Sequence, residues 1–344
     1  MNRYKHLKKL ILATILFIFV IILAFEISYK KAIEKPLKSS ENTILIEVKQ
    51  GEGFYDILNK LDNEDKLSSK LLIKVNLAID KRSIKLREGI YEIDTNSTLD
   101  NLISSLQNES GDKALVKLTI PEGYSIEEIA NAIEEKDLGS KEEFLKAAQN
   151  YEVPNFISDN DQKRYKLEGF LYPDTYFIEK GLDANYIIKI MLNRFEQILK
   201  QVKDEAKVDI KDEDVEKIIT IASLIEKEAK VQKDRPLISS VIYNRLEKNM
   251  KLQLDAAVIY ALGYHVDVVL NKHLEINSPY NVYKYEGLPV GPIANPGIDS
   301  IKAALLPEKT DYLYYILQKD SSHYFTNNYD DFLKKKKELG YWVS

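Results

Sequence analysis

Residues 218–263 read IITIASLIEKEAKVQKDRPLISSVIYNRLEKNMKLQLDAAVIYALG, and the other motifs of the chain are arranged around this stretch. Its first half predicts a helix, because apolar residues recur at spacings of three and four. Such spacing places them on one face at about 100° per residue. The apolar positions are Ile218, Ile221, Ala222, Ile225 and Ala229.

Two glutamates lie at the borders of this apolar face. On the helical wheel Glu226 lies beside Ala222 at one border, and Glu228 lies beside Ile221 at the other. A carboxylate held against apolar neighbours loses solvation of its charged form, so it retains its proton to higher pH, as a general acid must. The alternative is that both glutamates are solvated residues at the flank of an amphipathic helix.

Composition excludes several classes of function. A chain of 344 residues suggests two or three domains, and 44% hydrophobic with 30% charged residues is typical of a globular protein. The net charge of -5 argues against a protein that binds nucleic-acid phosphates. The absence of cysteine excludes disulfides, thiolate zinc sites and cysteine nucleophiles. The four histidines are scattered, so we expect no metal and no cofactor.

The N-terminal region predicts a membrane anchor. A charge-free run from Leu10 to Phe25, LILATILFIFVIILAF, follows several basic residues. As a helix this run spans about 24 Å, and extension to residue 29 brings it close to the ~30 Å of a bilayer core. No small-x-small cleavage site follows, which favours an uncleaved anchor at residues 10–29 over the alternative, a signal peptide. Residues 1–9 are then a cytoplasmic tail and the bulk of the chain is exported.

Two copies of one short pattern follow a polar tether at residues 30–41. Each copy reads as a strand, a glycine turn, a helix and a Ser-capped second helix, around Gly51 and, 72 residues later, Gly123. Between them, residues 86–93 (LREGIYEI) predict a strand and residues 99–106 a capped helix. Residues 42–110 therefore resemble the LysM type of sugar-binding module, and residues 111–160 form a second repeat-like βα unit. The alternative is a packing scaffold that binds no ligand.

The remaining residues, 161–344, predict a mixed α/β domain. At 167–181 (LEGFLYPDTYFIEKG) a turn at Pro173 and Asp174 carries aromatic rings beside carboxylates, which suits a sugar groove, although ordinary core packing is the alternative. Residues 278–297 (SPYNVYKYEGLPVGPIANPG) contain four prolines and three glycines, which predicts a fixed irregular loop. A hairpin at 312–326 and a charged helix at 329–339 complete an α+β chain.

Eight motifs together resemble the endolytic murein transglycosylases, the MltG or YceG-like family. In chain order they are LREGIYEI, TIPEGYSIEEIA, LEGFLYPDTYF, ASLIEKEA, VIYNRL, LQLDAAVIYALG, SPYNVYKYEGLPVGPIANPG and HYFT. The resemblance implies that Glu226 is the catalytic acid. The chain departs from the usual L-Q-S-D-P-T at Leu254, Ala256 and Ala257, and from the usual S-P-Y-N-T-Y at Val282.

The resemblance also implies the reaction. The family cleaves the MurNAc-GlcNAc β-1,4 bond within glycan strands without water and leaves a 1,6-anhydro-MurNAc end. One acid protonates the leaving oxygen and then, as carboxylate, takes the proton of the sugar's own 6-hydroxyl. The internal nucleophile makes a second catalytic carboxylate dispensable. The implied role is termination of nascent peptidoglycan strands beside synthases at the cell membrane.

Polar and aromatic residues of the same motifs are predicted to bind the glycan. They are Glu168, Tyr172, Asp174, Tyr176, Ser223, Glu228, Asn244, Arg245, Gln253, Asp255, Tyr280 and Asn281. The predicted partners are peptidoglycan strands, the cell membrane through the N-terminal helix, and peptidoglycan synthases, with no nucleic acid.

Two other functions stay open at this point. The first is a hydrolytic muramidase, in which Glu226 is the acid and Glu228 or Asp255 its partner, because hydrolytic glycosidases need two carboxyls. The second is a non-catalytic peptidoglycan-binding scaffold for synthases. The ends of the glycan products distinguish these readings, since anhydro ends are lighter than reducing ends by one water.

Overall fold

The computed structural model describes residues 2–39, 42–80, 84–107 and 115–341, with side chains in the first helix given at position 14 and from residue 16 onward. The fold is mixed α+β, with small two-stranded sheets in the described part of the chain. The chain divides into two compact units, Met1–Val116 and Lys117–Ser344. Each unit is described by itself below.

The first unit contains four helices and two strands within its described residues. In order they are α1 (Asn2–Glu34), β1 (Thr43–Val48), α2 (Phe54–Asn63), α3 (Lys70–Asp80), β2 (Gly89–Asp94) and α4 (Leu99–Gln107). The two strands pair antiparallel, with Thr43 opposite Asp94 and Val48 opposite Gly89. Alternate residues of β1 are buried, as the period of two of a strand requires. These residues pack in one core with the apolar faces of α2 and α4. The predicted strand at 86–93 begins only at Gly89.

The helix α1 contains the run predicted to be a membrane anchor. Across the residues that the structure describes, no helix is both long enough and apolar enough to cross a membrane. The side chains of residues 10–13 and 15, which belong to the predicted anchor, lie outside the described part. Toward its C-terminal end, α1 packs on α3, where the Asn76 amide donates to the Tyr29 hydroxyl at 2.9 Å.

The second unit carries seven of the eight motifs that resemble the transglycosylase family, and LREGIYEI lies in the first unit. Its elements are β3 (Leu115–Thr119), α5 (Ile126–Glu135), α6 (Lys141–Asn150), β4 (Thr175–Glu179), α7 (Ala184–Ala206), α8 (Asp212–Glu228), a 3-10 turn (Gln232–Asp234), α9 (Arg235–Glu247), α10 (Asp255–Leu262), α11 (Asn271–Leu274), α12 (Ile298–Leu305), β5 (Tyr314–Leu317), β6 (His323–Thr326) and α13 (Tyr329–Glu338). The strand β3 pairs with β4, and β5 pairs antiparallel with β6 as the predicted hairpin.

The two copies of the repeated pattern have the same order of elements. Gly51 (φ +81°) follows β1 and Gly123 (φ +79°) follows β3, and two helices come after each glycine. In the second copy Ser125 and Ser140 cap α5 and α6 through reciprocal bonds with a glutamate three residues on. Of the second repeat-like unit, predicted at residues 111–160, the part from residue 117 onward belongs to the same compact unit as residues 161–344.

The predicted central helix is α8, and it begins six residues earlier than the apolar pattern alone indicates. Asp212, Glu213 and Asp214 form its first turn, where negative side chains favour a helix start. Every residue from 218 to 225 is buried, because α9 and α12 pack against α8. A helix enclosed on several sides is apolar nearly all round rather than along one stripe. This core fixes the position of the residues that end α8.

Candidate active site

Glu226 lies in the last turn of α8, and its side chain is only 8% exposed. One carboxyl oxygen, Oε1, accepts a hydrogen bond from Nη2 of Arg235 at 3.1 Å. The other, Oε2, accepts from the backbone N–H of Gly297 at 3.1 Å. The predicted acid is therefore held on both oxygens and does not point into open water.

Arg235, the first residue of α9, is itself fixed by neighbouring elements. Its Nε donates to the Ser300 hydroxyl of α12 at 3.0 Å, and its Nη1 donates to the Gln232 side chain at 3.0 Å. The planar guanidinium therefore donates from three different nitrogen atoms to three partners, a geometry that the single nitrogen of a lysine could not reproduce. The ion pair with Glu226 joins the end of α8 to the start of α9.

Glu122 brings a second carboxyl group to Glu226. Gly297 leaves the space that the Glu122 carboxyl occupies, since a methyl group added at its Cα would overlap the carboxyl oxygens of Glu122. Gly297 has φ -76°, so its backbone does not require glycine and only the space does. Partial burial raises the pKa of Glu122, and the charge of Glu226 raises it further, while Arg235 acts in the opposite direction.

Backbone hydrogen bonds lock the loop that carries Glu122 to the loop that carries Gly297. The N–H of Gly123 donates to the carbonyl of Asn295 at 2.8 Å, and the N–H of Asn295 donates to the carbonyl of Tyr124 at 2.8 Å. Lys227 adds a bond from its Nζ to the Gly123 carbonyl at 3.2 Å. The positive φ of Gly123 makes this turn, which lies against the Glu226 side chain.

Glu228 and Asp255, both predicted to bind the glycan, take part in a separate cluster with two tyrosines. The Tyr315 hydroxyl of β5 donates to Glu228 Oε2 at 3.0 Å, and the Tyr283 hydroxyl donates to Asp255 Oδ1 at 2.6 Å. Burial raises the pKa of Glu228 to about 7, the Tyr315 bond lowers it, and the charge of Asp255 raises it. Carboxyl and phenol groups of this cluster can accept and donate hydrogen bonds to sugar hydroxyls.

Glu168 is buried at 0% exposure and joins three separate segments. Its carboxyl accepts from the N–H of Ile126 at 3.0 Å, from the Tyr260 hydroxyl at 2.9 Å and from the Asn295 amide at 3.1 Å. Burial raises the pKa of Glu168 to about 8. Through its bond with Asn295, Glu168 holds the loop that lies beside Glu226.

Ser223, Tyr280 and Asn281 hold the irregular loop at 278–297. The Ser223 hydroxyl accepts from the N–H of Ile293 at 3.1 Å and donates to a carbonyl within α8. The Asn281 amide donates to two backbone carbonyls, and the Tyr280 hydroxyl accepts from the N–H of Arg164 at 3.2 Å. All three side chains are buried and engaged inside the protein. Their predicted contacts with the glycan stay predictions.

Asn244 and Arg245 of α9 hold the segment that enters the hairpin. The Asn244 amide donates to the carbonyls of Thr310 and Tyr312, each at 2.9 Å. Arg245 donates to the Leu313 carbonyl at 2.6 Å, and its guanidinium lies over the Tyr314 ring. These contacts position the strand that carries Tyr315.

The predicted aromatic turn at 172–176 lies on β4 and the residues before it. Arg194 of α7 donates to Asp174 at 2.7 Å and lies over the ring of Tyr172, while the Tyr176 hydroxyl donates to the Tyr172 carbonyl. Burial raises the pKa of Tyr172 to about 12, and the charge of Glu122 contributes in the same direction. Tyr172 thus lies on the side of the site where Glu122 is.

Gln253, another residue predicted to bind the glycan, is exposed and has φ +53°.

Sequence reasoning missed three residues around Glu226, which are Glu122, Arg235 and Gly297, and it missed Tyr315 in the separate cluster of Glu228. Glu122 stands within the motif TIPEGYSIEEIA and Gly297 ends the proline-rich loop, so both belong to motifs that carry the family resemblance. No spacing rule connects residue 122 to residue 226. Arg235 carries a weak signal, because an arginine at a helix start is unfavourable to the helix dipole and so indicates another reason for its presence.

Comparison with known proteins identifies the family of this chain. Residues 46–338 match the model of the YceG-like family. An endolytic murein transglycosylase of Bacillus subtilis is 35% identical over 323 residues, which cover 90% of this chain and 89% of that protein. One of Streptococcus pneumoniae is 28% identical over 356 residues, covering 95% of this chain and 64% of that protein.

A solved structure is also similar. The crystal structure of a YceG-like protein from Listeria monocytogenes superposes with a TM-score of 0.58 at 34% identity, over 86% of this chain and 100% of that one. From the family match over most of its length and these relatives, the chain belongs to the YceG-like family.

Proposed function

We propose that the protein is an endolytic lytic transglycosylase that cleaves the MurNAc-GlcNAc β-1,4 bond of nascent peptidoglycan strands and leaves 1,6-anhydro-MurNAc ends. The observation that supports this most is the position of Glu226. Its carboxyl is almost fully buried, accepts from Arg235 and Gly297, and has a second carboxyl beside it. The names of the relatives in Bacillus subtilis and Streptococcus pneumoniae support the same reaction.

The contacts of Glu226 suit both halves of the reaction. In the first half the protonated carboxyl gives its proton to the glycosidic oxygen as the bond to the anomeric carbon breaks. Arg235 and the Gly297 N–H then stabilise the carboxylate that remains, because they donate to its two oxygens. In the second half this carboxylate takes the proton of the 6-hydroxyl while that oxygen closes on the anomeric carbon. The acid is regenerated and no water is consumed.

The full-length protein incubated with nascent, uncrosslinked glycan tests this proposal by mass spectrometry of the products. We expect new glycan ends lighter by one water than reducing ends. Products with reducing ends only would contradict the non-hydrolytic route, and binding without any cut would favour a scaffold.

A hydrolytic muramidase is a second candidate because of one observation. Hydrolysis needs two carboxyls flanking the scissile bond, and Glu122 supplies a second carboxyl close to Glu226. The partners expected from the sequence for this reaction, Glu228 and Asp255, are instead bonded to Tyr315 and Tyr283. The same analysis of glycan ends separates hydrolysis from transglycosylation.

We also propose that residues 10–29 anchor the protein to the cell membrane, with residues 1–9 in the cytoplasm and the catalytic part outside. The support is the charge-free run Leu10–Phe25 and the exposure of large apolar side chains from Leu16 to Ile27 in α1. Extraction of membranes with alkaline carbonate tests it, and we expect the protein to stay in the membrane pellet. Release into the supernatant would contradict an anchor. Sugar binding by residues 42–110 and partnership with synthases stay predictions.

A further inference from the structure

Two carboxyl groups lie beside Gly297 at the end of α8, and Arg235 bonds one of them. Arg235 donates to Glu226, and the Glu122 carboxyl lies over Gly297, whose N–H bonds the other oxygen of Glu226. The Glu226 side chain is nearly buried, whereas Glu122 is partly buried and still reaches solvent. Both carboxyl groups are therefore close to Gly297, and Glu226 is the more buried of the two.

This arrangement has a chemical consequence for the first proton transfer. Arg235 and the Gly297 N–H are both donors, so alone they favour the carboxylate form of their partner. A general acid must instead carry a proton when the substrate arrives. A second negative charge close by opposes the loss of that proton, since full ionisation would place two carboxylates beside one guanidinium.

We propose that Glu122 is a positioning residue that keeps one proton within the carboxyl pair Glu122–Glu226, so that Glu226 can protonate the glycosidic oxygen. This inference rests on the proposed function. Over one turnover the proton leaves Glu226 as the new O–H bond forms on the leaving sugar, and the 6-hydroxyl proton replaces it. The number of protons on the pair is thus the same before and after each cut.

The charged and titratable groups facing Glu122 are consistent with this role. Partial burial raises the pKa of Glu122, the charges of Glu226 and of Asp299 act in the same direction, and Arg235 opposes them. The pKa of Tyr172 lies at about 12, so its phenol is neutral while the enzyme works. Glu122 therefore has two negative neighbours, Glu226 and Asp299, and one positive neighbour, Arg235, and this balance favours its protonated form.

The test is the pH dependence of kcat/KM for glycan cleavage, measured with full-length wild type and Glu122→Gln. We expect similar activity near pH 5. The alkaline limb of the variant should move to lower pH by about half a unit or more, which is about a threefold loss or more at pH 8. Glu122→Asp, which keeps the charge, should restore most of the wild-type profile.

Gly297→Ala supplies an independent variant, because its added methyl displaces the Glu122 carboxyl while the backbone conformation stays allowed. We expect its profile to move toward that of Glu122→Gln. Gly53→Ala is the matched control, since Gly53 is also an N-cap with extended backbone and its methyl would approach no closer than 3.5 Å to Asp56. Glu135→Gln, at an exposed position of α5, controls for loss of a carboxylate.

The outcomes separate the two proposals. A wild-type protein that makes no cut overturns the proposed function before any variant is compared. An active wild type whose pH profile superimposes on that of Glu122→Gln overturns the role of Glu122 alone. A loss that is equal at every pH also overturns it, because that result indicates substrate binding or folding instead of control of the proton.

Discussion

Glu226 and Arg235 are hydrogen-bond partners in the site. Their side chains are 8% and 13% exposed, so removal of one leaves the other buried without its partner. We expect Arg235→Gln to lower the free energy of unfolding by about 2–3 kcal/mol, because the pair is nearly buried. Urea unfolding measures this. In the Glu226→Gln background the same substitution should cost less, and equal costs in both backgrounds would show that the two residues are not coupled.

Glu168 predicts a specific pH dependence of stability. Its pKa of about 8 in the folded protein lies above the ordinary value of 4.5 that the unfolded chain has. Between these values the unfolded state loses the proton first, so the free energy of unfolding falls as pH rises from about 4.5 toward about 8 and this contribution levels off above. Glu168→Gln should remove that part of the slope. Thermal unfolding of both proteins at pH 5 and pH 8 checks it, and identical slopes would contradict the assignment.

At the scale of secondary structure, a buried hydrogen-bonded pair, Asp234 and His323, holds the β5–β6 hairpin against the start of α9. One oxygen of Asp234 accepts from the backbone N–H of His323 at 2.6 Å and lies 2.9 Å from its ring nitrogen Nδ1. The pair matters for the site because β5 carries Tyr315, the donor to Glu228.

We expect Asp234→Ala to destabilise the protein by about 1–3 kcal/mol and to loosen the hairpin first, since a buried N–H would lose its acceptor. Hydrogen exchange should become faster in residues 314–326 while α8 stays protected. Unchanged exchange in the hairpin would mean that Asp234 does not hold it.

Local patterns in the sequence predicted several elements and missed others. The helix α8, the hairpin and the repeated strand–glycine–helix order all follow from apolar spacing and from turn residues that act within a few positions. The strand β4 was read as part of an aromatic turn, although Tyr176 and Ile178 alternate with less buried neighbours. The helix α7 was not predicted, even though it buries eight apolar residues along one face.

Local patterns predicted even less of the candidate site than of the fold. The helical wheel placed Glu226 at the border of a buried face, and the structure has it at 8% exposure. The wheel identified only the apolar neighbours of the acid within its own helix, whereas Arg235, the Gly297 N–H and Glu122 contribute charge and hydrogen bonds. These come from distant parts of the chain through tertiary packing, which periodicity within one helix cannot reveal.

For the molecule as a whole, the division near residue 116 predicts an independent catalytic unit. Residues 117–344 have a core of their own around α8 and contain Glu226, Glu122 and Arg235. We expect residues 115–344 expressed alone to fold, to unfold cooperatively on heating, and to retain cleavage. Circular dichroism and product analysis check this. An unfolded or aggregated product would show that the first unit is needed for folding.

Binding by the first unit can be measured with the same two proteins. If residues 42–110 hold glycan, the shortened protein should bind long strands more weakly than the full chain while its kcat is unchanged. Equal affinity would favour the packing scaffold for that unit.

The proposed reaction depends on a single acid, Glu226, and comparison of wild type with Glu226→Gln is the decisive test. The change is nearly isosteric, and we expect the variant to keep its thermal unfolding profile but to lose at least about 100-fold in cleavage rate, the scale of general acid catalysis. Mass spectrometry of digested nascent glycan should find 1,6-anhydro ends with wild type and none above background with the variant. Anhydro ends formed at an equal rate by Glu226→Gln would contradict the account.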